Sequence, residues 1–187
     1  MIEYSYINKN DYERMTELYK KYLNDGDYVE HELSRKYAEC DYTGIKAMDG
    51  DEIAGFASMS KGLDFTYPHP ELKERLEAIV EDDIIYTGDA VVVREEYRGQ
   101  GISHRMFEEC YKLMCERKAK YILTELWIYP GGDIPAEDSV LSLGPVVYRE
   151  YIEDFYKDLD KYGMSCPICG EHCTCSACIE LHRTAVE

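Results

Sequence analysis

The sequence predicts a single α/β domain, and three observations support it. A strand pattern over residues 84–93 leads into a turn with two glycines, a helical pattern over 102–117 and a second strand pattern over 121–128. Strand, glycine turn, helix and strand in this order form a βαβ unit. A hairpin pattern surrounds Asp49-Gly50-Asp51, where glycine favours the left-handed turn conformation. The 187 residues, 45% of them hydrophobic, suffice for one core.

The other elements follow from hydrophobic periodicity and from residues that begin or end helices. Asn10 or Asp11 can cap a first helix, and Pro70 fits the start of a later one. Gly26 and Gly163 are expected to end helices. The predicted elements are a strand over 2–7, a helix ending near 25, a short helix over 29–38, hairpin strands over 43–48 and 52–60, a helix over 71–80, a long loop over 130–145 and a final helix over 146–161.

The composition is strongly acidic, with 21 Lys and Arg against 38 Asp and Glu, and a formal charge of −17. Phosphate neutralisation needs clustered basic residues, so this balance argues against nucleic-acid binding and against anionic membranes. It would attract cationic substrates. The sequence contains no apolar run long enough to span a membrane and begins without a secretory pattern, so we expect a cytoplasmic protein.

The turn Arg98-Gly99-Gln100-Gly101-Ile102-Ser103 lies between a strand and a helix. Glycines allow close backbone approach, and amides at a helix N-terminus favour a phosphate. The patterns of nucleoside-triphosphate and dinucleotide loops are both missing from the sequence. The alternative is a tight connection without a ligand.

At Val91-Val-Val-Arg-Glu-Glu-Tyr-Arg-Gly-Gln-Gly-Ile-Ser-His-Arg the sequence resembles the GNAT superfamily of N-acetyltransferases. Weaker similarity extends over about residues 1–162. The resemblance implies a mixed, mostly antiparallel central sheet flanked by helices, with acetyl-CoA as co-substrate. The valine backbone would pair with the pantetheine arm as an added strand, and the turn would hold the pyrophosphate. The implied cofactor-binding residues are Val91, Val92, Val93, Arg98, Gly99, Gln100, Gly101, Ile102, Ser103 and His104.

Acetyl transfer to an amine needs a base for the ammonium proton and an acid for the leaving thiolate. The resemblance implies a carboxylate on the fourth strand as base, which is Asp89 here, although Asp89 could also be a solvated strand-end charge. It implies a tyrosine on a late helix as acid, which is Tyr156 in Phe155-Tyr-Lys-Asp-Leu159. Tyr148 and Tyr151 compete for that role, because 18 tyrosines mark any single one weakly.

Five cysteines fall within a short stretch near the C-terminus: Cys166, Cys169, Cys173, Cys175 and Cys178, with His172 and His182 nearby. Closely packed thiolates need a cation, and Zn²⁺ takes four tetrahedrally, so a structural zinc site is predicted. The sequence does not decide which four of these residues bind the metal. An iron–sulfur cluster is a weaker alternative, and free thiols without a metal are another. Cys40, Cys110 and Cys115 are interpreted as reduced packing residues.

The sequence is therefore divided into a GNAT-like acetyl-CoA-binding domain over 1–162 and a cysteine-rich tail over 163–187. Because residues after Gly163 do not resemble strands, the tail is expected to form a metal knuckle that replaces or caps the family's last strands. The expected activity is transfer of an acetyl group to a primary amine of a small molecule or peptide, by direct attack in a ternary complex. The alternative is an acyl-CoA-binding or zinc-dependent interaction protein without turnover. The oligomeric state is open, a homodimer included.

Overall fold

The computed structural model describes residues 1–24, 26, 29–39, 41–66, 68–170 and 172–186, with the backbone alone at Glu39. Cys40 lies outside the described residues. Within them, no helix has the length and apolar character needed to cross a membrane. The strands are β1 Ile2–Tyr6, β2 Thr43–Asp49, β3 Glu52–Lys61, β4 Ile85–Val93, β5 Tyr121–Ile128, β6 Val146–Ile152 and β7 Ser176–Arg183. The helices are α1 Tyr12–Tyr22, α2 Val29–Glu39, α3 Pro70–Val80, α4 Ile102–Glu116 and the short α5 Glu137–Val140.

The seven strands form one sheet in the order β1-β2-β3-β4-β5-β7-β6. Only the pairing of β4 with β5 is parallel among these strands. Neighbouring residues of a strand face opposite sides of a sheet. Ala57 of β3 packs with α4, whereas Phe56 packs with α1. Leu123 of β5 packs with α3 on the face that α1 covers. The predicted mixed, mostly antiparallel sheet flanked by helices is confirmed.

The final helix predicted over 146–161 is wrong. Residues 146–152 form β6, and turns with a 3₁₀ segment at Leu159–Tyr162 follow it. The stretch Val-Val-Tyr-Arg-Glu-Tyr-Ile alternates between half-buried and exposed positions, which is a strand period. Its β-branched and aromatic residues also favour a strand.

The expectation that a metal knuckle replaces the last strands is also wrong. Residues 176–183 form β7, which lies between β5 and β6 and pairs with both. The cysteine-rich stretch before β7 is thus a connection inserted between two sheet strands. The predicted tail does not stay outside the sheet, because its residues 176–183 form β7, which lies inside the sheet between β5 and β6.

Candidate active site at a fork between two strands

Strands β4 and β5 lie side by side only over their first residues. The parallel pairs are Ile85 with Tyr121, Tyr86 with Ile122 and Thr87 with Leu123, although both strands continue for several residues beyond them. On its other edge β4 carries a bulge, because Gly88 and Ala90 face consecutive residues of β3 and Asp89 is the extra residue. A bulge bends its strand. The two strands therefore diverge, and we call the opening the strand fork.

One edge of β4 turns main-chain groups toward the strand fork. The amide of Arg94 donates to the carbonyl of Ala54 on β3 at 2.9 Å. Main-chain groups alternate in direction along a strand, so Val92 points its amide to β3 as well. Val91 and Val93 then point theirs into the strand fork. An extended ligand could pair with these groups as an added strand.

The glycine turn opens α4 with unpaired amides. Gly99 and Gly101 both have a φ of +74°, which favours glycine. Over the described part of the chain, the amides of residues 99–104 donate no hydrogen bond to a protein atom. An added Cβ at either glycine would meet no atom within 4 Å. The space at this helix N-terminus is therefore open, and its partial positive charge suits a diphosphate.

Side chains around the turn are held by neighbours. Arg98 donates from Nε to the Val93 carbonyl at 3.0 Å. Ser103 Oγ lies 2.9 Å from Ser139 Oγ, and His104 Nδ1 lies 3.1 Å from Ser142 Oγ. These serines belong to the segment after β5, so the predicted long loop closes one side of the turn. The predicted cofactor-binding residues thus lie together along the end of β4 and the start of α4.

A pocket lies beside the strand fork, between the sheet and the first two helices. Its lining combines polar and apolar side chains, and carboxylates from four separate segments face it. The lining residues are Tyr19, Val29, Glu32, Leu33, Lys36, Asp64, Thr66, Gly88, Asp89, Glu125 and Met164. This is the place where a second substrate could meet a ligand bound along β4.

Glu125 is the carboxylate of this pocket that meets Tyr156. It lies on β5 two residues beyond the last pair with β4. It accepts hydrogen bonds from the Tyr156 hydroxyl at 2.8 Å, from the Thr66 amide at 3.1 Å and from the Thr66 hydroxyl. Burial raises the pKa of its carboxyl above the ordinary value. The sequence analysis missed Glu125, although it is the one acidic residue in the stretch Tyr-Ile-Leu-Thr-Glu-Leu-Trp-Ile.

Asp89 lies in the same pocket but has a different partner. Its side chain is 3% exposed, and Oδ1 accepts from the Lys36 ammonium, which is 9% exposed. Asp64 lies 3.3 Å from the same ammonium. Burial alone would lower the pKa of Lys36, but the charges of Asp89 and Asp64 raise it, so the ammonium stays charged. The alternative of a solvated strand-end charge does not fit this position.

Tyr156 lies in the turns after β6 rather than on a helix, and it is 1% exposed. Its ring stacks on Trp127 with centroids 4.6 Å apart. The two competing tyrosines lie elsewhere, because Tyr151 is 60% exposed on β6 and Tyr148 bonds to Glu150. Of the three candidates, only Tyr156 reaches the pocket carboxylate within the described residues.

Four of the five C-terminal cysteines converge. The sulfur atoms of Cys166, Cys169, Cys173 and Cys175, which we call the cysteine cluster, all lie within 4.8 Å of one another. The Cys175 sulfur lies 3.6 Å from that of Cys169 and 3.9 Å from that of Cys166. A tetrahedron with Zn–S bonds of about 2.3 Å has edges of about 3.8 Å. The donor set and its spacing therefore fit zinc.

The backbone also prepares this cluster for a cation. The amides of Ile168 and Cys169 donate to the Cys166 sulfur at 3.4 and 3.3 Å. Cys166 and Gly170 exchange two main-chain hydrogen bonds, which close a tight turn between the first two cysteines. N–H groups aimed at sulfur stabilise a thiolate, the form that binds metal.

The structure does not bring Cys178 or His182 into this cluster. Cys178 lies on β7 and packs on the α4 face of the sheet, whereas the cluster packs on the opposite face. His182 is buried and lies 3.2 Å from Glu180 and 3.1 Å from the Gly144 carbonyl. His172 is exposed. Cys110 of α4 is buried in the core, as expected for a packing residue, whereas Cys115 of the same helix is half-buried.

Comparison with known proteins agrees with this geometry. The sequence matches the Acetyltransferase (GNAT) family over residues 10–137, and the chain belongs to this family. The resemblance found at residues 91–105 is thereby confirmed. A comparison with curated proteins finds no match.

Solved structures share the whole fold at low sequence identity. NAA60 from Arabidopsis thaliana in complex with a bisubstrate analogue aligns with a TM-score of 0.70 and 14% identity, over 100% of both chains. The same protein in complex with acetyl-CoA aligns at 0.66 and 18%, over 98% of both. The ribosomal-protein-S18-alanine N-acetyltransferase from Escherichia coli aligns at 0.63 and 14%, over 100% of this chain and 96% of that one.

Proposed function

We propose that this protein transfers an acetyl group from acetyl-CoA to a primary amine in a ternary complex. The observation that carries the proposal is the strand fork, which has open amides at one end and the Tyr156–Glu125 hydrogen bond beside it. The diphosphate of CoA would bind the amides of residues 99–104. The pantetheine arm would then run along β4 and pair with Val91 and Val93. Its thioester would lie toward Glu125.

In this arrangement Glu125 is the base and Tyr156 the acid. The acceptor arrives as an ammonium with a pKa of about 10.4 and must lose a proton before it attacks. Burial raises the pKa of Glu125, which makes it a stronger base than an ordinary glutamate. The amine nitrogen forms a bond to the acetyl carbon and the carbon–sulfur bond breaks. The Tyr156 hydroxyl donates a proton to the departing thiolate, and the resulting phenolate takes the surplus proton of the acetylated nitrogen. Glu125 releases the first proton to solvent, so that the products are the neutral amide and the CoA thiol.

Asp89 was the base expected from the sequence, and its pairing supports a different role. A carboxylate that is paired with the Lys36 ammonium is less available to take a proton from the acceptor amine. We assign it to holding α2 over the pocket. The acceptor would be a small-molecule or peptide amine, and the complex of NAA60 with a bisubstrate analogue is consistent with a second substrate of this kind. Four carboxylates in the pocket lining favour a positively charged acceptor.

We propose in addition that the cysteine cluster holds one structural zinc ion. Four thiolates would close the tetrahedron and leave no open position for catalysis. Metal analysis of purified, reduced protein should give about one zinc per chain. A ratio near zero after growth with added zinc would reject the site.

The direct test is an acetyl-CoA thiol-release assay over a panel of amines, with mass spectrometry of the product. Glu125→Gln and Tyr156→Phe should each lower kcat by about 10²-fold or more, since a positioned acid or base contributes that much. Tyr151→Phe, at an exposed tyrosine of β6, is the matched control and should keep full activity. Asp89→Asn distinguishes Glu125 from Asp89 as the base. It should keep kcat if Glu125 is the base and lower kcat as strongly as Glu125→Gln if Asp89 is the base.

The outcome also distinguishes an enzyme from a binding protein. CoA binding without turnover for any amine would favour the non-catalytic alternative. Unchanged rates in both the Glu125 and Tyr156 variants would reject the assigned acid and base.

A further inference from the structure

The cysteine cluster packs directly behind the proposed acid. Tyr156 precedes the cluster in the sequence, and its amide lies 3.4 Å from the Cys175 carbonyl. Cys166, Cys173 and Cys175 belong to the same buried cluster as Phe155 and Tyr156. The backbone of Tyr156 is therefore hydrogen-bonded to the metal-binding segment, and its side chain is buried in the same cluster as three of the cysteines.

Trp127 connects the cluster with the pocket from the other side. It lies on β5 two residues after Glu125, and so on the same face of the strand. Its indole stacks on the Tyr156 ring and lies next to the Cys175 thiol. Its buried Nε1 makes no hydrogen bond of ordinary length in the described residues. A metal-bound thiolate at Cys175 would be a stronger acceptor for this N–H than a thiol.

The entrance to the cluster is fixed to the pocket as well. Met164, two residues before Cys166, lines the pocket. The next amide, that of Ser165, donates to the Asn24 side chain at 3.1 Å, and the Gly26 amide donates to the same oxygen at 3.0 Å. The segment that leads into the cluster is therefore tied to the connection between α1 and α2.

We infer that zinc in the cysteine cluster sets the rate of acetyl transfer by holding Tyr156 against Glu125, an inference that rests on the proposed function. Four thiolates at this spacing repel one another until a cation binds them. Zinc would fix Cys175, and through it the turn that carries Tyr156 and the indole that supports its ring. The CoA site lies on β4 and α4, outside this packed group. Metal loss should therefore affect kcat far more than CoA binding.

Trp127 is the only tryptophan in the sequence, so its fluorescence reports on this place without an activity assay. Zinc is added to metal-free, reduced protein, and metal content and emission are followed together. The inference predicts an emission change that saturates at one zinc per chain. Full zinc loading with unchanged emission would overturn it.

The second arm separates positioning of Tyr156 from general stabilisation. Metal removal should lower kcat by about 10²-fold in the wild type, with CoA affinity kept within about threefold. In Tyr156→Phe the same removal should cause little further loss, because groups that act through one another are not additive. An equal loss in both backgrounds, or a collapse of CoA binding, would show that the metal only supports the fold and would reject the inference.

Two cysteine variants serve as controls. Cys175→Ser should imitate metal removal, whereas Cys115→Ser, at a thiol of α4 far from the cluster in sequence, should keep zinc, emission change and activity. If the zinc-loaded wild type binds CoA but acetylates no amine, the proposed function fails. The Trp127 titration then decides alone whether the cluster is coupled to the pocket.

Discussion

The substitution Gly101→Ala would place one methyl group where a diphosphate is proposed to bind. Gly101 has a φ of +74°, and a Cβ built there has no neighbour within 4 Å. The free protein therefore has room for the methyl group, and its cost is confined to the backbone conformation. Gly50, in the turn between β2 and β3, has a φ of +59° and equally open surroundings. Gly50→Ala is thus a matched control for strain.

The two variants should lose similar stability and differ in binding. An alanine in the left-handed conformation lowers the free energy of unfolding by about 1–2 kcal/mol. Alanine also reduces the conformational entropy of the unfolded chain, which offsets part of this loss and leaves a net loss of about 1 kcal/mol. For a chain of this size that lowers Tm by about 2–4 °C. In Gly101→Ala the methyl group should also cost at least one hydrogen bond to a charged phosphate, about 1.5–3 kcal/mol. That loss weakens CoA binding by about 10- to 150-fold.

Thermal unfolding measures the change in Tm, and isothermal titration calorimetry with CoA measures the change in binding affinity. The expected pattern is a shared fall in Tm with weakened CoA binding in Gly101→Ala alone. Equal CoA affinity in the two variants would refute the proposal that the amides around Gly101 hold the diphosphate. So would a large loss of affinity in Gly50→Ala.

Four further predictions concern the pocket and the metal. Lys36→Met should destabilise the fold by about 3–5 kcal/mol, because it leaves the buried Asp89 charge unpaired, and the double variant with Asp89→Asn should lose less in urea unfolding. Burial raises the pKa of Glu125. The acid limb of the pH profile of kcat/KM should therefore lie above an ordinary glutamate pKa of about 4.3 and should disappear in Glu125→Gln. An acid limb that persists in this variant would count against Glu125 as the base. The same shift makes stability fall as pH rises through the raised pKa, a slope that Glu125→Gln should remove in pH-dependent melting. Cys175→Ser should lose zinc in metal analysis, while Cys178→Ala keeps it; the reverse result would contradict the ligand set.

Much of the central unit follows from local sequence. The run of β-branched residues in β4, the glycines after it and the periodic face of α4 each favour the element that forms. Glycine at residue 101 predicts a left-handed residue before the helix, and the structure has one. These features depend on neighbours in the chain, so one sequence suffices to find them.

The strands β6 and β7 are harder to predict from the sequence, because their structure depends on partners that are distant along the chain. Residues 146–152 become a strand by pairing with β7, which a connection of more than twenty residues separates from them. Tyrosines and charges recurring there resemble a helix as well as a strand. Five closely spaced cysteines indicate a metal site, and the last of them, Cys178, lies within β7, so this pattern masks the start of the strand.

The proposed base shows the same limit. Glu125 follows from contacts with Thr66 and Tyr156, which lie 59 and 31 residues away in sequence. Asp89 lies on the fourth strand, where the base was expected, but no local sequence pattern indicates that Lys36 would pair with it. Candidate groups can be found in sequence, whereas their pairing requires the fold.

Hydrogen–deuterium exchange with and without acetyl-CoA tests the central claim most directly, since it follows the backbone amides themselves. Saturating acetyl-CoA should slow exchange at Val91, at Val93 and at residues 99–104, with the strongest protection around Gly101. Unchanged exchange in these residues at a concentration where acetyl-CoA is bound would contradict the account, because the cofactor would then occupy another part of the protein.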